Sequence, residues 1–297
     1  MVKTSTHTRR RAPDDIDEIV VASFNEYRTA ISQFDRRWVF RGQISDWPLS
    51  SSLERALLNW DIPLFQAPEI ERLLIRDFKR RAQPDVPELV HTDLLYCLAF
   101  MQHHGAPTRL IDASYSPYVA AKFAMESGGR GAVVWCVNGA WAHDATARAV
   151  GMPLVRERNI DDQRNDTSFH KMYVESPKQF VFIENPFSLN TRLVVQRGNF
   201  LCVGDIASTA MENFAAMGGS DYGACFVKLR LDLNGTERRN FALELRNMNM
   251  NSSVLFPGID GFSRSLRDDI LLYEQLAEDL TGRVDYRDPT RGLAKRP

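Results

Sequence analysis

Two stretches, "WVFRGQ" at residues 38–43 and "GAPTRLIDASYSPYVAAKFA" at residues 105–124, decide how this chain is read. In the first, two bulky aromatics and a valine predict a buried strand that ends on Arg41, Gly42 and Gln43. An arginine at the end of a core strand can grip a phosphate or a ribose hydroxyl with two parallel hydrogen bonds. A glycine beside it lets a planar ligand approach the backbone, whose N–H and C=O can pair with a carboxamide. The bland alternative is a strand-ending charge beside a turn glycine, and three letters alone do not choose between them. In the second stretch, "PTRLID" predicts a brief strand. "SPYVAAKFAMES" then predicts a helix with Ser116 as N-cap and Pro117 in its first position.

Working outward from these, Ile16, Ile19, Val20, Phe24, Tyr27, Ile31 and Phe34 recur at helical spacing and predict one amphipathic helix. "PEIERLLIRDFKRRA" predicts a second helix, with basic residues at its end where the helix dipole favours them. "TDLLYCLAFMQHHG" predicts a third, with Thr92 as N-cap and Gly105 just past its end. "GAVVWCVN", "QFVFIE", "TRLVVQRG", "NFLCVG" and "ACFVKLRL" read as strands, rich in β-branched and aromatic residues. Residues 139–178 are polar and mixed and read as a loop-rich insertion. "TERRNFALELRNMNM" and "SRSLRDDILLYEQLAEDL" read as late helices. Helices come first and strands cluster later, without βαβ alternation. That order predicts an α+β fold with a mixed or mostly antiparallel sheet and an N-terminal helical layer. The expected organisation is one domain over residues 14–284, with disordered tails at 1–13 and 285–297.

Composition excludes several classes. Of 297 residues, 44% are hydrophobic and 25% charged, which is ordinary for a soluble globular protein. The net charge of −1 offers no bulk electrostatic argument for nucleic acid or membrane. The apolar runs are too short to span a bilayer, and the basic N-terminal cluster lacks the apolar core of a secretory signal. Cys97, Cys136, Cys202 and Cys225 are isolated and form no CxxC, so reduced thiols and a cytoplasmic location are expected, with no metal site. No phosphate-binding P-loop, GxGxxG, HExxH or GxSxG pattern occurs. His103 and His104 adjoin at a helix end and cannot serve one metal as an i, i+4 pair would. Lining a pocket remains open to either.

Four segments then stand in order: "WVFRGQISDWPLSSSLERAL", "FMQHHGAPTRLIDASYSPYVAAKFA", "NTRLVVQRGNF" and "SSVLFPGIDGFSRSL". Together they resemble the FRG domain family, over roughly residues 38–270. The positions that carry the resemblance are Phe40 to Gly42, Trp47, Leu53, His103, Gly105, Pro107 to Leu110, Asp112, Ser116, Pro117, Gln196, Gly198, Phe200 and Leu255 to Gly261. The layout is in turn similar to ADP-ribosyltransferases, and this implies an NAD-consuming transferase. "VFRG" would be its first element, "PTRLIDASYSP" its second and "LVVQRGNF" its third. The resemblance implies Arg41, Gly42, Gln43, Thr108, Arg109 and Ser116 around NAD, with Arg41 on the phosphates and the Gly42 backbone on the nicotinamide amide. Where those enzymes carry a catalytic glutamate, this chain has Gln196-Arg197-Gly198. Asp112 is therefore the substitute acid, with Gln196 and Asp260 as weaker candidates beside Arg41. Against that role, an Asp after a strand commonly caps the next helix or pairs with a local arginine. The resemblance further implies a toxin or effector of a bacterial defence system, an antitoxin-like partner, and an RNA or protein acceptor. Two other readings stay open: a non-catalytic nucleotide or nucleic-acid sensor, and a metal-dependent hydrolase or nuclease.

Overall fold

The computed structural model describes residues 10–11, 16–81, 86–128, 130–160, 166–186, 191–218 and 222–281. Its centre is a mixed sheet in the order β1-β2-β8-β5-β3-β4-β7-β6. The strands are β1 (Arg10–Arg11), β2 (Asp17–Val21), β3 (Trp38–Gln43), β4 (Leu110–Ser114), β5 (Val133–Asn138), β6 (Val181–Glu184), β7 (Gly198–Val203) and β8 (Phe226–Leu231). β1 is a two-residue bridge on β2, so seven strands carry the sheet. Only β2 and β8 run parallel; every other neighbouring pair is antiparallel. The expected α+β class holds.

Alternation along the strands sorts the two faces. Val39 and Trp135 point into a core shared with the helices Ser52–Leu58, Leu94–His103 and Gly139–Val150. Trp38, Phe40, Val134 and Cys136 point the other way, into a core shared with Phe24–Ile31, Pro117–Ala124 and Gly235–Asn247. The early helices therefore do not form a single N-terminal layer. They divide between the faces, because each strand is buried on both sides and needs cover on both.

Three elements differ from expectation. Residues 16–34 are not one helix: Asp17–Val21 pairs with β8, and the helix starts afresh at Phe24. Ser23 caps it through a bond from Glu26 N at 3.2 Å, and Glu26 returns a bond from Ala22 N at 2.8 Å. "TRLVVQ" is not a strand but one helical turn, Thr191–Val195, because both edges of β7 are already taken by β4 and β6. Residues 139–178 are not loop-rich: they hold the helices Gly139–Val150, Met152–Ile160 and Asp166–His170. The first of these is capped by Asn138 and buries Ala142 and Ala145, small residues that pack closely yet give little apolar periodicity. A smaller shift concerns the Leu94–His103 helix, whose N-cap is Asp93 rather than Thr92, with Tyr96 N donating at 2.8 Å. Gly105 ends that helix at φ +84° as expected. Most of the two terminal tails lies outside the described residues. No helix among the described residues is long and apolar enough to cross a membrane.

One junction positions everything that follows. β3 is paired with β5 over six positions, Trp38↔Asn138 through Gln43↔Val133, but with β4 at a single pair, Phe40↔Ser114. Beyond that pair the sheet forks. Gly42 sits in the arm of the fork under the Pro117–Ala124 helix, where an added Cβ would lie 1.8 Å from Ala120 O. The glycine therefore admits the helix, and it also lines a small cavity beside Arg41. Gly42→Ala should push helix and strand apart and cost about 1–3 kcal/mol or more. Thermal melting checks this, and an unchanged Tm would show that the contact yields freely.

Candidate functional site

The fork leaves a narrow cleft, and the charged side chains that line it are Arg41, Arg192 and Asp112. Arg41 bridges the gap: its Nη1 donates to Asp112 O at 3.1 Å and stands 3.6 Å from Asp112 Oδ2. Its Nε is buried and has no hydrogen-bond partner among the described residues. Asp112 accepts from Gln102 Nε2 on Oδ1 at 3.1 Å, and its side chain stays 45% exposed. It does not cap the following helix, since Ser116 Oγ does so by accepting from Val119 N at 3.3 Å. Of the two structural roles open to Asp112, only an ion pair survives, and its partner is Arg41 rather than Arg109.

Two small cavities, of about 30 and 40 Å³, flank this pair. Arg192, Gln196, Asp112 and Ala113 line both. Asn199 lines the first, is fully buried, and has neither amide atom hydrogen-bonded among the described residues. A buried amide without partners costs roughly 1–3 kcal/mol, so it marks a place that favours a polar guest.

The electrostatics agree. Burial lowers the Arg55 pKa and the nearby Arg41 lowers it further, while Asp112 pulls the other way. Burial also lowers Arg192, with Asp112 opposing and Arg264 and Arg41 adding to the fall. His103 is lowered by burial and then by Arg192 and His104, with Asp112 opposing. A single half-exposed carboxylate thus serves several guanidinium groups, and the cleft as a whole attracts anions.

The remaining expected residues sit elsewhere or are otherwise engaged. Gln43 Oε1 accepts from Trp135 Nε1 at 2.9 Å. Thr108 is fully buried and bonds to Gln102 Oε1, while its N–H donates to Ser52 Oγ at 2.9 Å. Arg109 is buried in a bidentate ion pair with Glu71 and donates to Tyr173 O at 3.0 Å. Ser116 is the helix cap already described. Gln196 reaches the cleft wall, but its Nε2 donates to Leu255 O at 2.9 Å and its own carbonyl accepts from Ser114 Oγ at 2.6 Å. Asp260 is exposed in the first turn of the Ile259–Asp268 helix and lines neither cavity. The His103 and His104 rings meet edge-on at 5.0 Å, and no group of three metal-ligating side chains occurs among the described residues.

Gln102, Arg192 and Asn199 line the cleft without having been foreseen, and Arg55 lies near enough to Arg41 and Asp112 to feel their charge. A signal existed for Asn199, a polar residue of low strand propensity opening the apolar run "NFLCV". Arg192 was hidden by the strand reading of its segment. Gln102 and Arg55 carry no local cue.

No curated protein and no solved structure gives a significant match to the chain. Residues 36–131, which hold β3, the Leu94–His103 helix, β4 and the Pro117–Ala124 helix, match the FRG domain, and this segment builds the Arg41–Asp112 side of the cleft.

Proposed function

We propose that the cleft binds NAD and that the chain transfers ADP-ribose from it to an acceptor. The observation that carries this reading is the Arg41–Asp112 pair at the fork, set among further arginines and beside the unpartnered Asn199 amide. Cationic side chains suit a pyrophosphate, and a buried amide suits a carboxamide or base edge. The reaction breaks the bond between nicotinamide and ribose, the electron pair leaving with the nicotinamide nitrogen. Positive charge develops on the ribose, and a carboxylate held close stabilises the transition state more than the ground state. The acceptor then attacks the sugar carbon and gives up its proton to Asp112. Gln196 holds the Leu255 segment in place and has no part in the chemistry under this reading.

The cleft is closed in this structure. A dinucleotide needs a pocket of several hundred Å³, so the Arg192–Gln196 wall must move off Asp112 on binding. Release of nicotinamide from NAD by the purified chain tests the proposal, with and without divalent metal. Absence of release in both conditions would overturn it.

One observation favours a second reading, a nucleotide sensor without chemistry: the cleft's carboxylate is already paired with Arg41. NAD binding without nicotinamide release would support that reading. Arg41→Lys addresses binding alone. Lysine keeps the charge and loses the fork, so NAD affinity should fall about ten- to hundredfold, the scale of one charged hydrogen bond. Unchanged affinity in the folded variant, by calorimetry, would remove Arg41 from the pocket.

The acceptor under this reading is RNA or a protein, and the basic clusters at residues 9–11, 36–37 and 79–81 would favour RNA. Two are partly neutralised, Arg37 by Asp35 and Arg81 by Asp77 at 3.4 Å, while Lys79 donates to the neutral His91 O at 3.3 Å and keeps its charge. If RNA is the acceptor, turnover should fall steeply with salt and labelled product should vanish under nuclease. Label that survives nuclease and vanishes under protease would assign the acceptor as protein.

A further inference from the structure

A cavity of about 580 Å³ stands apart from the cleft. It lies beyond the Pro117–Ala124 helix, walled by that helix's end, by Gly235–Asn247 and by the Ile259–Asp268 and Ile270–Thr281 helices. Its size falls within the range of pockets that hold small organic molecules. The floor is apolar, with Met125, Ala242, Leu245 and Met250.

Six cationic side chains and two carboxylates line this cavity. Three of the cations are engaged: Lys122 with Asp268 at 2.8 Å, Arg239 with Glu274 at 2.9 Å and Arg246 with Asp269 at 2.9 Å. That leaves Arg238, Arg264 and Arg267 without a carboxylate partner among the described residues. Arg264 lies over the Phe256 ring at 4.9 Å, and of the two carboxylates Glu126 alone is in no ion pair. Arg264 and Arg267 are exposed and Arg238 is half-buried, and all three line one concave, apolar-floored space. Such an arrangement rewards a ligand that brings both multiple negative charge and a hydrophobic body.

We infer that this cavity is a second binding site, for a phosphorylated organic anion of nucleotide size. The phosphates lie on Arg238, Arg264 and Arg267, and the organic body covers Met125, Ala242, Leu245 and Met250. Arg238 and Arg267 are the residues to test, because Arg264 also bears on the cleft through Phe256, over which Arg192 lies at 4.7 Å.

The experiment is equilibrium dialysis of the full chain carrying Arg41→Ala, which removes the phosphate grip of the cleft and so separates the two sites. ADP is the probe, with adenosine and inorganic pyrophosphate as the two halves of its chemistry. ADP should bind the Arg41→Ala chain, and both halves should bind at least about tenfold more weakly. Adding Arg238→Ala and Arg267→Ala should weaken ADP by about tenfold or more, as should Ala242→Glu, which sets a carboxylate on the floor. Near-ultraviolet circular dichroism confirms that each variant is folded. No ADP binding to the Arg41→Ala chain would overturn the inference. So would binding that the double arginine change leaves intact, or binding that pyrophosphate equals.

Discussion

Asp112→Asn should reduce nicotinamide release about 10²–10⁴-fold, the range over which a positioned acid or base contributes to rate. Asparagine keeps the oxygen that accepts from Gln102 Nε2 and replaces the oxygen facing Arg41 with an uncharged NH2. The structural cost is small, because the ion pair with Arg41 is long, at 3.6 Å, and Asp112 is nearly half exposed. Exposed pairs of that kind contribute roughly 0–1 kcal/mol. Melting and turnover should therefore separate, with Tm nearly unchanged and turnover nearly lost. NAD affinity should change far less than turnover, since the charge acts in the transition state. Intact turnover in the folded variant would take Asp112 out of the chemistry.

The second large effect is on stability. Glu71→Ala should destabilise the protein by about 3–5 kcal/mol, because it leaves the Arg109 guanidinium buried without its counter-charge. Both side chains are about 5% exposed or less, and the bond is bidentate. Replacing both partners, as Glu71→Leu with Arg109→Met, should recover much of the loss, since a well-packed apolar pair needs no desolvation. Chemical denaturation of the single and double variants measures the difference. The double variant also decides the role of Arg109. If it folds and binds NAD normally, Arg109 is a structural residue of β4's entry. If it folds and has lost NAD, Arg109 belongs to the ligand site.

The same contrast explains what was legible in the sequence. Local patterns carried β3, β4, β5, the Ala67–Arg81 helix and the Ser116 cap with Pro117, because each rests on short-range preferences: β-branched runs, apolar periodicity and capping chemistry. The α+β class followed from the order of those elements. Arg41 and Asp112 were legible as residues of interest for their chemistry in a strand-end setting.

Tertiary structure decided the rest. Residues 17–21 had helical periodicity together with Phe24–Ile31, but the open edge of β8 paired them as a strand, and many ladder bonds outweigh a weak propensity. Residues 191–195 looked like a strand and became a helical turn, because β7 had no free edge to offer them. Within "PTRLIDAS", Thr108, Arg109 and Asp112 read alike as ligand candidates, yet burial separated them. Thr108 and Arg109 turned inward to Ser52, Gln102 and Glu71, while Asp112 emerged at the fork. That fork exists because Gly42 lets the Pro117–Ala124 helix lie against β3, where the β3–β4 ladder has stopped after one pair. Arg55, Arg192 and Asn199 reach it from segments 14 to 158 positions away from Arg41 in the chain, and no local pattern shows that packing brings them together there.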